Sequence, residues 1–363
     1  MSGASRLGDF RGRDNNFNLL RIVAALLVVA AHAFSTGGPS ADPMQHLFDI
    51  GSGDLGVDIF FILSGFLVTK SFAGKSIAQF TWARCMRIFP GLWTSTILTV
   101  LVAGLFFSDL PPQQFFASRA TLTYFAHNFT MLPGFGAQET LAHVFGRPEV
   151  TFNVPLWTLP HELQMYMLLA AVGVTIGLLP RHIAPLAFFG GLAVLLAKVG
   201  GIHLLAIDRG RFIAFFFAGS LAYLVRERIV LAGWLAAVLA GALIATVLLT
   251  SSMLIRQTAL VLTLPYLVLW CAYIPRGFIR QWNRLGDYSY GIYIYGFPIQ
   301  VMLTATGTAS SPLSSFAGTL LCVVPVAVMS WHLLEQHALR IPLPGRRVSV
   351  SEKSVPAQPD AVG

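Results

Sequence analysis

The stretch NNFNLLRIVAALLVVAAHAF, residues 15–34, decides how the rest of the chain is read. Its apolar run is long enough to cross a hydrocarbon core as a helix. Yet Arg21 sits near its start and His32 near its end. Their spacing is close to three helical turns, so both lie on one face, roughly 16 Å apart along the axis. Between them that face carries Ala25, Val28 and Val29, small enough for a ligand or a neighbouring helix to lie against. Ionisable side chains inside a span are costly and are read by default as functional. Two plainer readings stand beside that one: an Arg21 that snorkels to the interface, and a His32 that hydrogen-bonds another helix. A third is a secretory leader with Arg11 and Arg13 ahead of an apolar run and small residues around His32. The rest of the chain weighs against it, because a polytopic membrane protein needs no removable signal.

Of the 363 residues, 55% are apolar and 11% are charged. A soluble domain is normally about a quarter charged. Mean hydropathy is +0.68. The expected fold is an all-α polytopic membrane protein of about ten transmembrane helices. The spans fall near 17–36, 54–72, 89–108, 156–179, 183–200, 211–225, 229–250, 256–274, 286–306 and 315–335. Residues 1–14 form an N-terminal segment, 15–340 the membrane domain, and 341–363 a Pro-, Ser- and charge-rich tail expected to be disordered. Cys85, Cys271 and Cys322 have no metal spacing and imply no disulfide framework. The net charge of +8 does not imply nucleic-acid binding, because topology distributes it. With the N-terminus inside, seventeen Lys and Arg fall on inner segments and six on outer ones. Both termini are therefore expected in the cytoplasm.

On that topology Arg21 lies near the cytoplasmic edge and His32 in the outer half. Asp54 and Asp58 share a face at the outer end of the second span, with Gly65 farther along it. Asp54 reads as a helix cap. Asp58 lies deeper, at a level where a carboxylate could meet His32. WARCMRIFPGLW, residues 82–93, reads as an inner loop whose Arg84 and Arg87 share a helical face. Paired guanidinium groups suit phosphate, and equally suit lipid headgroups on the positive side. Thr158, Glu162 and Tyr166 recur at four-residue spacing in PLWTLPHELQMYML. HELQM lacks the second histidine of a zinc HExxH site, so no metal is expected. Tyr290 and Tyr293 sit in the inner half of the ninth span, ahead of Pro298, and Glu335 ends the tenth, facing solvent or a basic partner.

Taken together these stretches resemble the acyltransferase-3 family of integral-membrane O-acyltransferases. Its signatures are matched by Arg21 and His32, by GVDIFFILSGFLV at 56–68 and RCMRIFPGLW at 84–93. LWTLPHELQMY at 156–166, LGDYSYGIYIYGFPI at 285–299 and the late Glu335 follow. Gly296 departs from it, standing where many members carry histidine. The resemblance implies transfer of an acyl group, commonly acetyl, from cytoplasmic acyl-CoA to a hydroxyl. Acceptors would be glycans of surface polysaccharides, glycolipids or small metabolites, and the location a plasma membrane, bacterial inner membrane included. It casts Arg21, Arg84, Arg87, Tyr290 and Tyr293 as binders of the acyl-CoA co-substrate. It casts His32 as general base or acyl carrier, with Asp58 or Glu162 as the carboxylate that steadies it. The rival reading is a transporter or exporter of an acylated or glycosylated compound, against which stands the lack of a convincing inverted repeat.

Overall fold

The computed structural model describes residues 5–36, 42–131, 140–175 and 209–344, apart from 11, 13, 49 and 74. Among them are nine helices of at least 16 residues. They are α1 (Phe17–Thr36), α2 (Ser52–Phe72), α3 (Ile77–Val102), α4 (Thr158–Thr175), α5 (Arg209–Leu224), α6 (Gly233–Leu249), α7 (Met253–Tyr273), α8 (Ser289–Ala305) and α9 (Pro312–Ser330). Five, α1, α2, α3, α7 and α9, are long and apolar enough to cross a membrane by length and composition. The expected span at 183–200 and nearly all of the tail lie outside the described residues.

The two asparagines that open the decisive stretch set where α1 begins. Asn15 Oδ1 accepts a hydrogen bond from the Phe17 amide, one of the donors a helix start leaves over. Asn16 Nδ2 donates to the carbonyls of Cys271 and Pro275, each at 2.9 Å. That ties the start of α1 to the end of α7. At the head of α2, Asp42 Oδ2 accepts from the Ser52 amide and hydroxyl, and Asp54 Oδ2 from the Gly51 amide at 3.0 Å. Asp54 thus caps the Gly51 amide from the third helical position rather than standing at the cap itself.

The third helix corrects the sequence reading. Residues 82–93 are not a loop: α3 starts at Ile77, capped by Ser76 and Gln79, and carries Arg84 and Arg87 in its early turns. Charged early turns lower the local hydropathy, which hid the helix start. Pro298 inside α8 frees the Ile294 carbonyl by lacking an amide proton. The Ser95 hydroxyl on α3 donates to that carbonyl at 3.0 Å.

Helices α2 and α5 pack backbone to backbone. A Cβ at Gly65 would lie 1.9 Å from the Phe216 carbonyl oxygen, and one at Gly219 would lie 2.1 Å from that of Ile62. Only glycine permits this approach. Thr69 donates to Ser220 at 2.8 Å toward the end of the pair, and an ion pair closes its start.

The stretch 109–155, between two of the expected spans, contains helices Pro112–Ala117 and Arg119–Thr130 and a hairpin pairing Thr140–Val144 with Arg147–Thr151. Its two-residue turn, Phe145 and Gly146, has positive φ at both positions, as a type I′ turn requires. A second small ladder joins Ser5–Arg6 to Val230–Leu231. These two ladders are the sheet structure among the described residues, so the helical expectation stands with minor additions.

Candidate active site

A cavity of about 1450 Å³ opens at the end of the bundle where α1 and α8 begin. It is larger than a common small-molecule pocket of roughly 300–1,000 Å³. The lining residues singled out from the sequence reach it from four helices. Arg21 comes from α1, Arg84 and Arg87 from α3, Glu162 and Tyr166 from α4, and Tyr290 and Tyr293 from α8. Seven side chains spread over some 270 positions thus converge on one space.

Asp287, in the turn before α8, organises the arginines. Its Oδ2 lies 3.0 Å from Arg21 Nη1 and 2.5 Å from Arg87 Nη2. The Ser289 hydroxyl donates to its Oδ1. Burial alone would raise this carboxyl, but Arg21 and then Arg87 more than offset that, and it titrates near 2. Asp287 therefore stays ionised at any working pH. The stability it contributes is complete above the carboxylate's ordinary range and is lost only as pH falls through about 2. Arg87 also lies 3.9 Å from Glu335, which is 3% exposed and accepts from the Ser330 hydroxyl at 2.8 Å. Glu335 thus faces a basic partner. The Arg87 guanidinium further packs against the rings of Tyr290 and Trp331.

Arg84 is different. It lies over the Tyr166 ring at 5.7 Å, and its buried Nε has no hydrogen-bond partner among the described residues. Glu162 accepts from the Tyr166 hydroxyl, and from Ser64 at 3.2 Å. Tyr290 donates to the Ile88 carbonyl at 2.7 Å. Tyr293 donates to the Pro155 carbonyl at 2.7 Å and meets the Thr158 hydroxyl at 2.5 Å. The Tyr293 ring also meets Phe60 edge-on. This aromatic layer bounds the cavity.

His32 does not line the cavity. Its ring packs edge-on against Phe297, with centroids 4.7 Å apart. Phe297 follows Tyr293 on α8 by one helical turn, about 6 Å. Among the described residues no side chain hydrogen-bonds the imidazole nitrogens, though its carbonyl accepts from Ser35 and Thr36. Gly296 does not place a second histidine here; a Cβ at that position would meet Val29 at 3.1 Å.

Asp58 stands apart from both. It is 0% exposed and holds Arg211 of α5 through two-toothed contacts of 2.7–3.1 Å. Asp54 joins them at 3.6 Å. Asp287, Arg211 and Ser64 were not singled out from the sequence. Only Asp287 left a signal, as an acid directly ahead of a helix at the basic end.

Residues 14–332 match a family described as an acyltransferase domain. The chain belongs to the acyltransferase-3 family. The acyltransferase is 27% identical to an O-acetyl transferase of Shigella phage Sf6 over 344 residues, covering 90% of this chain and 96% of that one. It is 30% identical to Nodulation protein 10 of Rhizobium leguminosarum bv. viciae over 386 residues, covering 94% and 98%. No solved structure matches the acyltransferase. Its long apolar helices and its family together make it an integral membrane protein. Among the described residues no cluster of His, Cys, Asp and Glu could hold a metal ion.

Proposed function

We propose that this acyltransferase moves an acyl group, acetyl in the simplest case, from cytoplasmic acyl-CoA to a hydroxyl on a carbohydrate, with His32 at the reacting centre. One observation carries the reading. A single large cavity holds Arg21, Arg84 and Arg87 at its basic end and stops one helical turn short of the Phe297 ring that supports His32. A phosphate-rich donor with a long thin arm suits that geometry, with cations lining the cavity and an imidazole beyond its aromatic layer.

The chemistry follows from the groups. A neutral imidazole takes the acceptor's hydroxyl proton while that oxygen bonds to the thioester carbonyl carbon. The C–S bond then breaks, and the proton passes to the departing thiolate. In the covalent version an imidazole nitrogen is acylated first and the hydroxyl attacks afterwards. Acyl transfer from labelled acetyl-CoA to an acceptor glycan by the purified protein tests the reading. Transport of an intact acylated compound without turnover of acetyl-CoA would refute it.

Among the described residues Arg84 lacks the carboxylate partner that Arg87 has, so its removal tests donor binding with least disturbance of the fold. Arg84→Ala is expected to weaken acyl-CoA binding roughly 10- to 150-fold, equivalent to about 1.5–3 kcal/mol. Arg84→Lys should recover part of this, lacking the planar fork. Unchanged affinity with reduced protein abundance would instead assign Arg84 to lipid anchoring.

Cys85 lies beside Arg84 and is partly exposed. Because the basic bias puts this end in the cytoplasm, impermeant thiol reagents should spare Cys85 in sealed cells. Rapid labelling from outside would reverse the topology and with it the donor's side of entry.

A further inference from the structure

The cations around the cavity are not equivalent. Arg21 and Arg87 are compensated by Asp287, and Arg87 also by Glu335. An incoming phosphate would have to displace a buried carboxylate held by two guanidinium groups and a serine hydroxyl. Arg280 is also occupied. It pairs with Asp14 and donates to the carbonyls of Pro275 and Tyr273. Arg276, Arg284, Arg340 and Lys70 line the same cavity at its mouth, are exposed, and have no carboxylate partner among the described residues.

From this we infer that the mouth, built by Arg276, Arg284 and Arg340, is the docking site for a polyphosphorylated nucleotide: the 3′-phosphate and pyrophosphate end of the donor. The inference rests on the proposed donor and moves its phosphates outward from Arg21 and Arg87. Anions bind where positive charge is uncompensated, and among the described residues that is at the rim, with Arg84 deeper in.

The rim is built on pinned backbone. Asn16 holds the Pro275 carbonyl, and Arg280 ties the 278–284 turn to the end of α7. On the opposite side, Trp82 Nε1 donates to the Ile341 carbonyl at 2.9 Å and fixes the chain next to Arg340. A backbone already pinned loses less freedom on gripping a ligand than a loose one. With the phosphates at the mouth, the floor is left to the arm and the thioester. Arg21 and Arg87, clamped by Asp287, then serve as positioning residues for the polar groups of that arm.

Equilibrium binding of coenzyme A, 3′-dephospho-coenzyme A and pantetheine separates the possibilities, using purified protein in phosphatidylcholine nanodiscs. For the combined variant R276Q/R284Q/R340Q, coenzyme A binding is expected to weaken about 100-fold or more and dephospho-coenzyme A binding less, with pantetheine binding unchanged. Wild-type affinity for coenzyme A should fall with rising salt, since these contacts are exposed. The triple Lys variant should keep most of the affinity. Wild-type affinity for coenzyme A in the Gln variant would overturn the rim site and leave the proposed function standing. Equal losses for pantetheine and coenzyme A would overturn it too, marking a structural role. Anionic lipid headgroups are the other source of phosphate. A gain in thermal stability from phosphatidylglycerol that the Gln variant alone loses, with coenzyme A affinity intact, would reassign the rim to the membrane. Failure of the wild-type protein to bind coenzyme A at all would remove the proposed donor, and the rim site with it.

Discussion

His32→Ala is expected to fold, insert and bind acyl-CoA as the parent does, while turnover falls about 10²- to 10⁴-fold. The fold should tolerate the change. The ring lies against Phe297 and makes no side-chain hydrogen bond among the described residues, so truncation strands no buried partner. The lost ring contact is worth about 1 kcal/mol. Donor affinity should survive because His32 is not among the residues that line the cavity proposed for the donor. The chemical step has no such reserve. Arg21→Ala should behave in the opposite way, raising KM for the donor with a smaller effect at saturation. Steady-state kinetics with purified variants read the split. Labelled enzyme trapped with labelled acyl-CoA before acceptor is added would favour the covalent route. A well-folded His32→Ala protein with normal acyl transfer would sink the mechanism and reduce His32 to a packing residue.

Asp58→Ala should instead cost stability, about 3–5 kcal/mol, because it takes a carboxylate away from a buried guanidinium. Asp58 is fully buried and grips Arg211 with both oxygens. Asp54, at 3.6 Å, compensates part of the charge, which sets the expectation near the lower end. Thermal unfolding in lipid or detergent measures the loss. The double replacement Asp58→Leu with Arg211→Met should recover much of it, since a matched apolar pair avoids desolvating two charges. If Asp58 steadied His32, Asp58→Asn would lose turnover at normal thermal stability, and that outcome would reverse the assignment made from geometry.

The gathering of Arg21, Arg84 and Arg87 was legible because each lies near the basic end of an apolar segment, and topology alone puts such residues at one depth. The face shared by Thr158, Glu162 and Tyr166 was legible from period. Partner choice was not. Asp58 finds Arg211 across 153 positions, and nothing in either neighbourhood specifies the pairing. The same holds for Asp287, whose two arginines come from α1 and α3. The start of α3 was missed because charged early turns mimic a loop in hydropathy. Ser76 and Gln79, at capping-box spacing, were the available signal. The hairpin at 140–151 escaped because its turn places Phe145, not a turn-forming residue, at positive φ.

The end of α9 is wound more loosely than the rest. Residues Trp331–Glu335 form a π turn, which takes up one residue more than an ordinary turn does. Ordinary winding over the same letters would rotate Glu335 about 100° from the place it occupies. Leu333 and Met329, both well exposed, show how near the lipid-facing side of that helix lies. The late glutamate therefore reaches Arg87 through arithmetic as much as through chemistry. What fixes it in the site is the number of residues spent between Ser330 and Gln336. Two chains with the same glutamate in the same alignment column can point it in different directions.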